Sequence, residues 1–197
     1  MKLLENIDFS FQKINFITVL ALVLTVIFVL VFNIQEIEEN SLLENFQCVA
    51  LVLGFFYCLF SKSPFKKLFV FGALIFFLMF MREISYGRVI FAQIEGEPNH
   101  FYSWSHFKYG YLAHIIIGLY IAFCALFALV NKLWISGYEL IKKVKFPILP
   151  FFVCVMSVVA QLLSEKYLHN TIIEETSELI LYFSLFAISY IYSTKSK

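Results

Sequence analysis

Six long apolar runs separated by short polar connections dominate the chain, at about 16–32, 42–60, 65–81, 111–130, 146–163 and 172–192. At 1.5 Å per residue they measure about 25–32 Å as helices, close to the roughly 30 Å hydrocarbon thickness of a bilayer. The pattern predicts an all-α polytopic membrane protein, a single-domain bundle of six transmembrane helices. Pro147 and Pro150 fall at the start of the fifth run, where a first helical turn tolerates proline because its N–H groups lack intrahelical partners. Between the fourth and fifth runs, residues 131–145 mix Leu133, Trp134, Tyr138, Leu140 and Ile141 with four lysines, the composition of a short interfacial helix. The last run is the unusual one. Beyond Glu174, Glu175 and Glu178 only about 21 Å of apolar helix remains, from Leu179 to Tyr192, so a spanning helix must draw its glutamates inward.

Composition agrees with that class. The 197 residues are 61% hydrophobic and 15% charged, against about 25% charged in soluble domains. With 25 Phe and 7 Gly, helix packing is expected to use interlocking aromatics rather than glycine grooves. A net charge of +1 gives no reason to expect a nucleic-acid partner. Lys2, Lys13, Lys62, Lys66, Lys67, Lys132, Lys142, Lys143, Lys145, Lys195 and Lys197 fall on one side of the expected spans. Only Arg82, Arg88, Lys108 and Lys166 fall on the other. The positive-inside rule then places the N-terminus and C-terminus in the cytoplasm. Cys48, Cys58, Cys124 and Cys154 lie in apolar runs without metal-ligand spacing and read as reduced packing residues. Glu5 and Asp8, with no small-residue cleavage site, argue against a cleaved leader.

Counting outward from the cytoplasmic end of each run puts a set of polar residues at one height. Glu44 and Gln47 come at about 24 and 20 Å, Arg82 and Glu83 at about 21–22 Å, and His114 at about 24 Å. Gln161 comes at about 22 Å and Glu178 at about 21 Å, with Glu175 and Glu174 a turn higher. Ionisable groups at bilayer depth are costly and are relieved by pairing, so a common depth implies convergence. Glu174 and Glu178 are spaced i, i+4 and Glu175 and Glu178 i, i+3; Tyr182 and Ser189 continue that stripe, while Glu44 and Gln47 share a face of the second helix.

Three readings of this layer follow. The sharpest is a divalent metal held by His114, Glu178 and Glu174, with His100, His106 and His169 expected on the same side, although no H-x-x-x-H or H-E-x-x-H pair fixes it. A second uses Arg82 and Arg88, which flank the stretch containing Ser85, as forks for a carboxylate or phosphate; Arg82 against Glu178 or Glu44 is its structural version. In the third, the layer only fixes helix register. Phe101, Tyr102, Trp104, Phe107, Tyr109 and Tyr111 read as an interfacial aromatic belt.

At R-E-I-S-Y-G-R, Arg82 to Arg88, with E-N-F-Q at Glu44 to Gln47 and E-E-T-S-E at Glu174 to Glu178, the chain resembles uncharacterised bacterial multi-pass inner-membrane proteins carrying R-E-I-S-(aromatic)-G. The resemblance implies location and architecture, and no activity. Compared with seven-helix hydrolases of the alkaline ceramidase type, the chain lacks a final-helix H-x-x-x-H. The expectation is an outward-facing polar cavity that binds a small molecule, ion or lipid headgroup for transport or sensing. It is built from Glu44, Gln47, Arg82, Glu83, Ser85, Arg88, His114, Gln161, Glu174, Glu175 and Glu178. A metal-dependent lipid hydrolase and a non-catalytic membrane helper subunit are the alternatives, with the lipid bilayer as partner in each.

Overall fold

The computed structural model describes residues 7–8, 19, 23, 27, 42–88, 94, 100–108, 110–168 and 170–196. Among them are six α-helices: α1 (Leu42–Leu59), α2 (Lys66–Glu83), α3 (Tyr111–Val130), α4 (Leu133–Lys143), α5 (Ile148–Leu163) and α6 (Thr171–Lys195). The expected first span, 16–32, lies outside the described residues apart from three positions.

Helix ends follow local chemistry. Asn170 caps α6, its side chain accepting the N–H of Ile173 at 3.1 Å. Pro147 and Pro150 occupy the entry to α5, where no helical partner is lost. Lys132, at φ 48°, turns the chain left-handed between α3 and α4, so the two do not run on as one rod. After α2, Ser85 (φ 47°), Tyr86 (φ 55°) and Gly87 (φ 93°) make three left-handed residues in succession, of which only glycine adopts that region freely.

The bundle is organised around α6, which packs along α5 and α1, while α1 in turn packs on α2. Its buried residues include Glu178, Leu179, Tyr182, Ala187 and Ile191, a stripe at helical spacing that faces its neighbours. Leu51, Cys58, Phe69, Ala73, Phe76 and Tyr182 form the centre of the core. Gly54 lets α1 and α2 approach: a Cβ there would meet the Phe76 ring at 2.5–2.8 Å. At one end, two-residue strands β1 (Ile7–Asp8) and β2 (Phe146–Pro147) pair in parallel, and Lys195 donates to Asp8 at 2.6 Å. There α6 is also fastened to the α1–α2 connection by Ser61···Ser193 at 2.7 Å and Ser63···Ser196 at 2.6 Å.

The six-span expectation is corrected by these helices. Among the described residues only Tyr111–Val130 and Ile148–Tyr167 are long and apolar enough to cross a membrane, and the apolar part of α1, Leu43–Leu59, is too short. The reason lies in where the apolar faces go. α1, α2 and α6 each put part of their apolar surface into a shared core, whereas hydropathy credited all of it to lipid; Phe46, Val49, Leu53 and Phe56 of α1 stay about half exposed. The six-transmembrane fold, the two cytoplasmic termini, the inner-membrane location and the lipid-bilayer partner fall together, since the orientation depended on alternation across six spans.

Candidate carboxylate site

The first half of α6 carries its glutamates about one turn apart, and the bundle sets Glu178 against α2 and Glu175 against α1. Glu178 is 4% exposed. Its Oε1 accepts from Nη2 of Arg82 in the last turn of α2 and from the Gln161 amide of α5. The same Arg82 nitrogen is 3.2 Å from Oε1 of Glu83, whose side chain is 5% exposed while that of Arg82 is 50% exposed. Tyr182, one turn along α6, donates its hydroxyl to Glu83. From α1, the fully buried Gln47 donates its amide to Oε2 of Glu175 at 2.8 Å and to the Glu175 carbonyl at 2.9 Å. Four helices thus meet at one cluster.

Glu83, Glu175 and Glu178 each offer a carboxylate oxygen, and these atoms all lie within 4.8 Å of one another. Three carboxylates against one guanidinium leave a formal charge of −2. Glu44 is close enough to act on Glu83 and Glu175, and Glu174 on Glu178. The electrostatics follow. Burial pushes the Glu175 carboxyl up to about 7, aided by Glu178, Glu44 and Glu83 and opposed by the Gln47 amide. Burial likewise raises Glu83, with Tyr182 and Arg82 opposing. Burial, then the Glu83 charge, holds the Tyr182 phenol protonated and therefore a donor. One polar atom is left over: Gln47 Oε1 is buried without a hydrogen-bond partner among the described residues.

Of the residues picked out by depth, the structure brings together Gln47, Arg82, Glu83, Gln161, Glu175 and Glu178, with Glu44 and Glu174 at the margin. Ser85 belongs to the left-handed turn. His114 and Arg88 line a cleft beside the start of α3, and the acidic ligand atoms that come close together among the described residues are those of Glu83, Glu175 and Glu178, without His114 or Glu174. His169 lies outside the described residues. Tyr182, which continues the polar stripe one turn beyond Glu178, joins the cluster through its hydroxyl on Glu83, a partner on another helix that the stripe alone does not indicate.

Neither cavity found among the described residues is lined by the three glutamates, and only two described helices are long and apolar enough to span a membrane. The expected intramembrane cavity for transport or sensing is therefore corrected. The lipid hydrolase, which counted His114 among its ligands, and the non-catalytic membrane helper are corrected with it, since the described helices do not form the membrane bundle that all three readings were placed in. No protein-family model, curated protein or solved structure matches the chain.

Proposed function

We propose that the chain binds one divalent cation at Glu83, Glu175 and Glu178. The observation that carries this reading is three carboxylate oxygens, from two helices, within 4.8 Å of one another. Like charges at that spacing repel strongly when buried, and a cation or protons must balance them. An all-oxygen donor set suits a hard ion such as Mg²⁺, Mn²⁺ or Ca²⁺ rather than zinc. The orphaned Gln47 carbonyl oxygen fits the same preference, since amide oxygens serve hard cations as neutral ligands. Arg82 is the rival occupant. Half exposed and on a long stem, it provides part of the compensating charge and must swing aside for the ion.

The test is titration of the purified protein with Mn²⁺, reading the loss of the free-ion paramagnetic resonance signal. One ion per chain is expected, displaced by excess Mg²⁺ or Ca²⁺ and weakened at least about tenfold in Glu178→Gln and Glu175→Gln, the effect of losing about 1.4 kcal/mol of binding free energy. Absence of saturable binding both in the native protein and in Arg82→Met would show a cluster that serves only to join helices.

A further inference from the structure

Beyond the acidic cluster, a second site is built at the other end of the left-handed turn. A cleft of about 370 Å³ is lined by Arg88, Ser103, Trp104, Ser105, Gly110, Tyr111 and His114. That volume is at the small end of ligand pockets, roughly 300–1,000 Å³. Its chemistry differs from the cluster's, for the described walls carry a guanidinium, an imidazole, three hydroxyls and an indole, with no carboxylate among the described residues.

We propose that this cleft binds a small oxyanion of the phosphate type. Arg88 supplies a permanent charge and a planar fork suited to phosphate, and its guanidinium stands 6.0 Å from the centre of the Phe101 ring. Ser103 already accepts from the hydroxyl of Ser105 at 3.1 Å, which leaves its own hydroxyl proton to donate. Trp104 holds a buried indole N–H without a partner among the described residues, a donor with an unmet demand. The N-cap of α3, Gly110, brings no capping side chain, so the positive end of the helix faces the cleft directly. Only glycine fits there, because a Cβ would collide with the Trp104 carbonyl. Arginine, hydroxyls, an indole N–H and a helix N-terminus together favour a doubly charged oxyanion over a neutral ligand.

The chain has two tryptophans, and Trp134→Phe leaves Trp104 as a single fluorescent reporter on a wall of the site. Titration of that variant with inorganic phosphate and with phenyl phosphate is expected to give a saturable change, absent with chloride or phenol. Arg88→Gln should weaken it at least about tenfold, as removal of a charged hydrogen-bond donor does. Circular dichroism would confirm folding, and Lys62→Gln, far from the cleft, should bind as before. Dihexanoyl phosphatidic acid binding more tightly than glycerol 3-phosphate would identify a lipid headgroup, and equal affinities a free phosphate ester. An unsaturable response, an equal one to chloride, or undiminished binding by folded Arg88→Gln would overturn the proposal.

Discussion

Arg82→Met is the substitution that separates the two cations competing for the carboxylates. Methionine keeps the helix propensity of arginine, so α2 itself is not weakened. What is lost is the contact of Nη2 with Glu178 and its 3.2 Å approach to Glu83. In an environment of effective dielectric near 20, one such pair at 4 Å is worth about 4 kcal/mol before solvation is counted. Arg82 is half exposed, and exposed pairs yield roughly 0.2–1 kcal/mol whereas buried ones cost about 3–5 kcal/mol to break. The expected loss, between these limits, is about 2 kcal/mol, which lowers Tm by about 4–8 °C in a domain of this size. A divalent cation at a hundred times its Kd returns about 2.7 kcal/mol, so Mn²⁺ should more than restore the variant. It should raise the native protein less, since there the ion must first displace the guanidinium. The assay is thermal unfolding with chelator and with increasing Mn²⁺, at constant ionic strength. An unchanged Tm in chelator, or equal restoration by sodium chloride, would refute the reasoning.

Two further predictions concern charge and packing. Glu175 is raised from its ordinary value of 4.5 to about 7, so the folded chain binds its proton more tightly than the unfolded one. That contribution to stability is complete below about pH 4.5 and is lost as pH rises through about 7, so without metal Tm should fall across this window, and Glu175→Gln should flatten the fall. A slope unaltered by the substitution would place the titration elsewhere. Gly54→Ala drives a methyl group into the Phe76 ring, at a cost of about 1–3 kcal/mol that the better helix propensity of alanine offsets in part. Urea unfolding should show a net loss of about 1 kcal/mol, relieved when Phe76→Leu is added.

How far the cluster could be read without coordinates turns on what axial counting measures. Counting residues from helix ends places Gln47, Arg82, Glu83, Gln161 and Glu178 at one level, and side-by-side helices bring that level together whether or not lipid surrounds them. Height is one coordinate of three. His114 shares it and still lies apart, because α3 is a peripheral helix on which Ile116 and Leu119 are about two-thirds exposed. Hydropathy failed for a related reason. It reports how apolar α6 is and not that Leu179, Ala187 and Ile191 are buried inside the fold. The left-handed turn had only Gly87 as its signal, since Ser85 and Tyr86 are held in that region by context rather than by preference.

The paired serines at the far end of α6 carry a consequence for the whole rod. Glu178 is tied to α2 and α5 near one end, Ser193 and Ser196 to the α1–α2 connection near the other. At 3.6 residues per turn, inserting one residue between these fastenings would put the two polar ends about 100° out of phase. Sliding cannot restore both. The spacing from Glu178 to Ser193 therefore behaves as a gauge length, and α6 tolerates exchange of side chains along that interval far better than any change in its count.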